Sequence, residues 1–409
     1  MISSRCGNEK EKQMVAVKEL TVSPGAIASL EEQLEAAASA RIVKSPRGYE
    51  IFHYEDSLQV LRSPDIRRAK LFLYRADNIG LTEGYARDFM ERMLNTQEGE
   101  QRKHLRTPMA RLLSPRKTKT LTEAVRDIVN TLLDEVQNPD DVDFLKEVSW
   151  RLPPEVYCHM VSIPRELAPT IGRLSDSLLG PLLTVDSSRK QEVIDAHYEV
   201  FSLVEEHIET RRKNLDDDFT SALIEEEMAG NLSTQELYDT GVGLLEASVD
   251  NTVHQSAIMM GMLLEDEGRW QQLLAEPSLM PNAVEETLRV YPRFRTHMRY
   301  VPETMDVLGT TVPKDDLIFI HVEAAQNDPT VFDNPSEFDM TRPMVPGPLL
   351  FGQGQYSCIG QNLARLEMHT LLTAVMERFP KARLIEPWQQ HEGPFVREVT
   401  SLRISLTGN

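Results

Sequence analysis

The fold of this chain is decided by one stretch, FGQGQYSCIG at residues 351–360, which runs directly into the helix-forming segment QNLARLEMHTLLTAVMERF at 361–379. Its three glycines permit close backbone approach. Cys358 stands just before the predicted helix, where backbone N–H groups and the positive end of the helix dipole favour a thiolate over a thiol. The stretch therefore predicts a metal-binding or reactive cysteine, and the alternative is a buried, inert cysteine after a glycine turn.

These ten residues resemble the heme-binding loop of the cytochrome P450 family, Phe-Gly-x-Gly-x-His-x-Cys-x-Gly, and depart from it only at Tyr356. The resemblance implies that Cys358 is the axial ligand of a heme b (iron protoporphyrin IX), because thiolate donation favours O–O cleavage. It also implies that Tyr356 stands where a histidine usually donates to a heme propionate. The tyrosine hydroxyl could make the same contact.

A second match to the family is Glu286-Thr287-Leu288-Arg289, on a short predicted helix that stops before Pro292. Spacing of three places Glu286 and Arg289 on one face, which in isolation is typical of a solvated ion pair. The later segment Phe338 to Pro343 resembles the family segment whose arginine, here Arg342, completes a Glu-Arg-Arg network. The resemblance implies that these three residues support the heme loop and do not act in catalysis.

A long helix is predicted from the capping box at Ser233 to about Leu264, roughly 32 residues or about 48 Å. Its polar middle resembles the family's distal helix, which carries Ala/Gly-Gly-x-Asp/Glu-Thr-Thr over the iron. Asp250 keeps the acid, Ser248 replaces a glycine beside Ala247, and Asn251 replaces the proton-delivering threonine. Thr252 follows on a different helical face. An amide in that relay leaves water, the acid or a substrate hydroxyl to compensate, and a mere polar kink in a core helix is the alternative.

Alignment with the family also suggests which residues bind the heme propionates. Arg102 and Arg106 take the places of the family's HxxxR pair, and Arg299 matches a third propionate contact. The positive charge is retained at all three places. A solvated basic face on the helix that contains QRKHLR is the alternative interpretation.

The segments that resemble the family's substrate pocket are unusually polar. Arginines replace apolar residues around Phe294 and next to Val396, and they suggest a substrate with an acidic or strongly hydrogen-bonding group. The alternative is that these arginine side chains point outward into solvent and do not contact a substrate. The predicted pocket residues are Ala247, Ser248, Arg293, Phe294, Arg295, Val396 and Arg397.

Composition excludes several classes of protein. A formal net charge of -20 opposes binding to nucleic acid or to an anionic membrane. The N-terminus lacks an apolar signal-peptide core and no apolar run reaches the roughly 18–20 residues of a membrane span, so we expect a cytoplasmic protein. Cys6, Cys158 and Cys358 are widely spaced and odd in number, which argues against a disulfide framework or a structural zinc.

The predicted architecture is mainly α with small β-sheets. Residues 41–52 read as a hairpin around Ser45-Pro46-Arg47-Gly48, helical patterns dominate to about residue 290, and strand character returns at 307–322 and in the last twenty residues. The resemblance implies one large cytochrome P450-type domain over 36–409, with the heme between the distal helix and the helix after the cysteine loop. Residues 1–35 are expected to form a polar tail.

The resemblance leaves no room for an attached flavin or iron–sulfur domain, so electrons must come from a separate ferredoxin and its ferredoxin reductase, with NAD(P)H as the source. Basic residues expected on the cysteine side of the heme would dock an acidic ferredoxin. A solvated face is the alternative. These residues are Arg111, Arg116, Lys117, Lys119 and Arg365.

The leading functional prediction is a monooxygenase acting on a small or medium organic molecule in secondary metabolism or catabolism. An enzyme that couples or cyclises its substrate without inserting oxygen is the alternative raised by Asn251. Two other classes compete: a non-catalytic heme-binding sensor, and a cysteine hydrolase in which Cys358 is served by His297, His321 or His369 as the base.

Overall fold

Helices make up most of the computed structural model, which describes residues 29–38, 40–343, 345–393 and 395–408. Turns rich in proline and glycine separate them. The helices are α1 Leu30–Ala37, α2 Tyr54–Arg62, α3 Leu71–Asn78, α4 Tyr85–Arg92, α5 Gly99–Leu112, α6 Pro115–Thr120, α7 Thr122–Asp134, α8 Leu152–Val161, α9 Ala168–Thr184, α10 Lys190–Arg211, α11 Phe219–Met228, α12 Thr234–Ser248, α13 Asp250–Glu265, α14 Glu267–Ala275, α15 Met280–Val290, α16 Val322–Gln326 and α17 Gln361–Arg378.

Short strands form four small sheets beside the helices. The largest has the order β1-β2-β8-β5-β3, and the others are β4-β12-β9, β10-β11 and β6-β7. The predicted mainly α architecture with small sheets is confirmed. The strands are β1 Val43–Ser45, β2 Gly48–Ile51, β3 Arg67–Arg68, β4 Val142–Asp143, β5 Thr296–Tyr300, β6 Met305–Val307, β7 Thr310–Val312, β8 Leu317–His321, β9 Arg383–Leu384, β10 Gln389–Glu392, β11 Arg397–Ser401 and β12 Arg403–Ser405.

The predicted N-terminal hairpin is present. β1 and β2 pair antiparallel with Ser45 opposite Gly48, which leaves a two-residue turn. Gly48 adopts a φ of +146°, and a Cβ atom there would lie 2.4 Å from the carbonyl oxygen of Leu317 on the neighbouring strand. Glycine at this position therefore lets β2 approach β8 closely.

The long helix predicted from residue 233 to 264 begins at its capping box but is broken at Val249. Ser248 Oγ donates to Leu244 O at 2.5 Å, and hydrogen bonding resumes where the Thr252 and Val253 N–H groups donate to Val249 O. A serine hydroxyl that bonds back four residues bends a helix. Two helices, α12 and α13, therefore replace the single continuous helix.

α13 lies at the centre of the main hydrophobic core. Its residues from Thr252 to Leu264 are buried, and it packs against α8, α9, α15 and α17. Because α17 follows the cysteine loop directly, this packing fixes the loop relative to the distal helix.

The predicted boundary at residue 35 falls inside a helix. Residues 1–28 of the predicted tail lie outside the described residues, but α1 covers 30–37 and buries Ala36 against Phe52 and Ala324. The folded part therefore includes α1 from Leu30 onward. No helix in the described ranges is long and apolar enough to cross a bilayer.

Candidate functional site

The cysteine loop is built by two glycines with left-handed backbone conformations. Gly352 has a φ of +65° and Gly354 a φ of +66°, and a Cβ atom on Gly354 would lie 3.1 Å from Leu61 O. The turn closes when Cys358 N donates to Phe351 O at 2.7 Å. The spacing of glycines in the sequence therefore reflects both backbone conformation and close packing.

The Cys358 side chain is exposed, and yet protein atoms crowd around its sulfur. Burial raises the pKa of its thiol, and the Gly360 N–H group and the charges of Arg68, Arg106 and Arg365 oppose this effect without cancelling it. The predicted effect of the helix start is present, because the Gly360 N–H group lowers the pKa of the thiol, but burial outweighs it. A thiolate here needs a further positive partner, which a bound metal ion supplies.

Four arginines gather beside the cysteine loop. Burial and mutual repulsion lower the pKa of Arg102 to about 10 and that of Arg299 to about 9, and both side chains have a buried Nε atom without a hydrogen-bond partner. Arg106 donates from Nη2 to Ser357 Oγ at 3.1 Å. Such an excess of buried positive charge fits an anionic group, so the residues suit the two carboxylates of a heme.

Arg68, the fourth member, was not predicted from the sequence. The antiparallel pairing of β3 with β5 places Arg68 directly opposite Arg299. The basic letters RR at 67–68 were visible, but a two-residue strand carries too little pattern to predict its register.

Tyr356 plays a different part from the one expected. Its hydroxyl donates to Glu98 Oε2, and its ring lies between the guanidinium groups of Arg102, at 4.7 Å, and Arg299, at 5.1 Å. Contacts of this kind attract a cation to the ring face. Tyr356 therefore positions two arginines, while its hydroxyl is committed to Glu98.

The predicted Glu-Arg-Arg network is present. Arg289 forms two hydrogen bonds of 2.7 Å with the buried carboxylate of Glu286, and Arg342 Nε donates to the same carboxylate at 3.2 Å. Arg289 also donates to the backbone oxygen of Gln326 at 2.7 Å, and the side chain of Gln326 accepts from Leu349 N. Leu349 O in turn accepts a hydrogen bond from Gly352 N. The side chain of Gln326 therefore links the Glu-Arg-Arg network to the cysteine loop.

The distal helices present one accessible stripe. Ala247 and Asn251 are exposed and Ser248 is half-buried, whereas Asp250 and Thr252 are buried. The predicted difference in face between Asn251 and Thr252 is thus confirmed. The structure brings the amide of Asn251, not the hydroxyl of Thr252, to the accessible side.

Asp250 is tied to a charge from another element. Its Oδ2 accepts from Arg293 Nη2 at 2.7 Å, and its Oδ1 lies 3.6 Å from His254 Nε2. Burial alone would raise the pKa of Asp250, but the charges of Arg293 and His254 outweigh it and hold the pKa below its usual value. Asp250 is therefore ionised at neutral pH.

The three arginines expected to face an acidic substrate are instead matched by carboxylates of this chain. Besides Arg293, Arg295 pairs with Glu323 at 2.9 Å, and Arg397 pairs with the other oxygen of Glu323 at 2.6 Å. All three are buried, so they point neither into free pocket space nor outward. Phe294 and Val396 pair with each other in an isolated β-bridge. In the sequence, Phe294 lies between Arg293 and Arg295, and Val396 precedes Arg397. These contacts argue against a role for the arginines in binding a substrate acid.

Two of the three histidines proposed for a cysteine hydrolase, His297 and His321, are engaged elsewhere. His297 donates from Nε2 to Leu349 O at 2.9 Å, and burial lowers its pKa to about 3. His321 contacts Glu50 at 2.6 Å. Over the described ranges, no His, Cys, Asp or Glu cluster could hold a metal by itself, which leaves Cys358 as a lone thiol ligand.

Comparison with known proteins agrees with this geometry. The family model for Cytochrome P450 matches residues 159–396. The chain is 30% identical over 349 residues to luteothin monooxygenase from Streptomyces thioluteus, with 85% of each chain covered. It is 30% identical over 300 residues to 6-deoxyerythronolide B hydroxylase from Saccharopolyspora erythraea, with 73% of each covered. The crystal structure of epothilone D-bound cytochrome P450epoK matches with a TM-score of 0.83 at 23% identity, covering 93% of this chain and 96% of that one.

The fold and the site together define a heme-thiolate oxidoreductase. The chain belongs to the cytochrome P450 family, whose cofactor is heme b and whose relatives named above are a monooxygenase and a hydroxylase. It is therefore an enzyme of the P450 monooxygenase class. The cysteine hydrolase is excluded.

Proposed function

We propose that the enzyme inserts one atom of dioxygen into a small or medium organic molecule, with electrons from NAD(P)H delivered through a ferredoxin reductase and a ferredoxin. The observation that carries this proposal is the position of Cys358 beside Arg68 and Arg106, whose charges act on its thiol. Relatives named for the oxidation of particular organic compounds support a role in secondary metabolism, and we propose a cytoplasmic location.

In this proposal Cys358 Sγ would bind the heme iron, and the arginine cluster would hold the propionates. A heme bound in this way supplies the reductive activation of dioxygen. Arg102 and Arg299 offer unpartnered Nε–H groups, and Tyr356 keeps their guanidinium groups in place. Glu286 and its arginines act only by fixing the loop.

Proton delivery is the least conventional part of the site. Asn251 offers an amide on the accessible stripe, and the Ser248 hydroxyl is already donated to Leu244 O. Asp250, ionised and held by Arg293, can accept and pass on a proton at Oδ1 or Oδ2. We propose that a water held by the Asn251 amide, or a hydroxyl of the substrate, completes the relay that Thr252 is too buried to serve.

A reduced, CO-bound spectrum tests the ligand. We expect a thiolate-type Soret band in the wild type and in Cys158→Ser, because Cys158 is buried on α8 away from the loop. Cys358→Ser should lose the band while far-UV circular dichroism stays unchanged. A thiolate band that survives in Cys358→Ser would refute the assignment.

The departure at Asn251 also favours a second reaction, oxidative coupling or ring formation without oxygen insertion. Product analysis under labelled dioxygen separates the two, because insertion places one labelled oxygen atom in the product and coupling places none. A heme-binding sensor would show the Soret band and no turnover with any electron donor.

The basic residues predicted to meet a ferredoxin differ in whether they pair with acids of this chain. Arg111 pairs with Glu226 at 2.6 Å and Lys117 lies 4.0 Å from Asp217, while Arg365 pairs with Glu285. Arg111, Arg116, Lys117 and Lys119 are all exposed. Of these, Arg116 and Lys119 make no ion pair with the described residues, and they lie on α6, which packs against α17 after the cysteine loop. We propose that these two residues, aided by the paired ones, meet the acidic ferredoxin.

Charge reversal tests this docking surface. Arg116→Glu with Lys119→Glu should slow reduction by a ferredoxin and flatten its dependence on ionic strength. Lys44→Glu on the edge strand β1, which is equally exposed, serves as the matched control. Equal rates in both variants would rule out this surface.

A further inference from the structure

Glu246 is a buried acid on α12, one turn before Asp250. It is only 4% exposed. It adjoins the accessible Ala247, and a Cβ atom on Gly243, three residues earlier, would meet no atom within 4 Å. Glu246 therefore stands at the edge of the accessible stripe, next to open space.

Glu246 has no arginine partner, unlike four buried acids on nearby elements, and it shares this feature with Glu367 on α17. Burial alone raises the pKa of Glu246 to about 8, with no neighbouring charge contributing. Across the described residues, no lysine or arginine nitrogen lies within 4 Å of its carboxyl group. By contrast, Asp239 pairs with Arg92, Asp250 with Arg293, Glu286 with Arg289, and Glu323 with Arg295.

The ionisable group nearest to Glu246 is His197 on α10. The distance from His197 Nε2 to Glu246 Oε1 is 3.9 Å, too long for a hydrogen bond. His197 Nδ1 donates to Val193 O at 2.7 Å, so Nε2 is the acceptor nitrogen of a neutral ring. This Nε2 atom is buried and has no partner. When Glu246 is ionised, two acceptors thus face each other across a gap that one donor group could bridge.

We propose that Glu246 and His197 bind a protonated amine of the substrate in this gap. An ammonium nitrogen at about 2.8 Å from each acceptor would donate to both, and its charge would replace the arginine that other buried acids have. The proposal rests on the function proposed above, because it takes the accessible stripe as the substrate side. It assigns a cationic substrate group in place of the acidic one suggested by the arginines.

Binding should be linked to the loss of a proton. At pH 7 the Glu246 carboxyl is mostly protonated, and an ammonium would stabilise its ionised form. The O–H bond of the carboxyl then breaks and the proton leaves to solvent, while the ammonium keeps its own protons. Binding of the amine at pH 7 should therefore release a proton to solvent, up to one for each amine bound.

Calorimetry of the reduced, CO-bound holoenzyme tests the proposal, since CO prevents the amine from ligating iron. Octylamine and 1-octanol are titrated at pH 7 in two buffers of different ionisation enthalpy. We expect octylamine to bind at least about tenfold more tightly than octanol and to release the proton. Glu246→Gln should lose both effects, and His197→Asn, which can still donate to Val193 O, should weaken amine binding but retain proton release.

Glu367→Gln is the matched control, because Glu367 on α17 is another buried acid whose pKa burial raises well above its usual value. It should behave as the wild type. Equal wild-type affinity for the amine and the alcohol, or unchanged proton release in Glu246→Gln, would overturn the proposal. The CO spectrum of the same sample shows whether the proposed function or only the amine site has failed. A missing thiolate band rejects the proposed function. A normal band without a preference for the amine rejects only the amine site.

Discussion

Removing the guanidinium of Arg293 should destabilise the enzyme in a pH-dependent way. Arg293→Met leaves Asp250 buried without its partner at 2.7 Å, and the least costly response is protonation of the carboxyl. Protonating the Asp250 carboxyl lowers the free energy of unfolding by about 1.4 kcal/mol for each unit by which the pH exceeds the usual aspartate pKa of 3.8. The expected loss is therefore about 4 kcal/mol at pH 7 and about 2 kcal/mol at pH 5.5. The first figure agrees with the 3–5 kcal/mol typical of breaking a buried ion pair.

The sign of the pH effect follows from the wild-type pair. Because the pKa of Asp250 is lowered in the folded state, the pair stabilises the protein above pH 4 and loses this contribution as the pH falls further. Urea unfolding of wild type and Arg293→Met at pH 7 and pH 5.5 measures the difference. The double variant Asp250→Asn with Arg293→Met should recover most of the loss. A destabilisation that is equal at both pH values would refute this reasoning and indicate a packing defect.

Three other variants have distinct expected outcomes. Glu286→Gln leaves Arg289 buried with weakened partners, so we expect a loss of about 3 kcal/mol in unfolding free energy and a lower heme content by the pyridine hemochromogen assay. Tyr356→Phe keeps the ring between its two arginines but loses the hydroxyl donated to Glu98, so urea unfolding should show a loss of only about 1 kcal/mol; a loss as large as that of Glu286→Gln would contradict this. Asn251→Thr restores a hydroxyl to the accessible stripe and should raise product per NAD(P)H severalfold over hydrogen peroxide, and an unchanged ratio would show that the relay does not depend on residue 251.

The arginines near the distal helix show why side-chain partners are hard to predict from sequence. Arg293, Arg295 and Arg397 suggested an acidic substrate, yet each meets a carboxylate supplied by a distant segment, such as Glu323 on α16. A charge is informative only together with the charges that face it. The same limit applies to Glu246, whose lack of an arginine partner appears only when α10 and α12 are packed together.

Much of this protein was determined by the sequence itself. Two glycines of the loop adopt left-handed backbone conformations that few other residues can adopt. The placement of Cys358 before a helix is likewise a local property of the chain. The capping box at Ser233 likewise specifies where α12 begins. Such features depend on neighbouring residues only, so the family and the mainly α fold could be predicted from short motifs.

The tertiary structure decided what depends on register and on contacts between distant elements. Pairing of β3 with β5 brought Arg68 to Arg299, and packing turned Tyr356 toward Glu98. The raised pKa of Cys358 also arises from its surroundings, which no motif encodes. Burial and the positions of opposing charges set these properties, because electrostatic interactions depend on distance and desolvation and not on spacing along the chain.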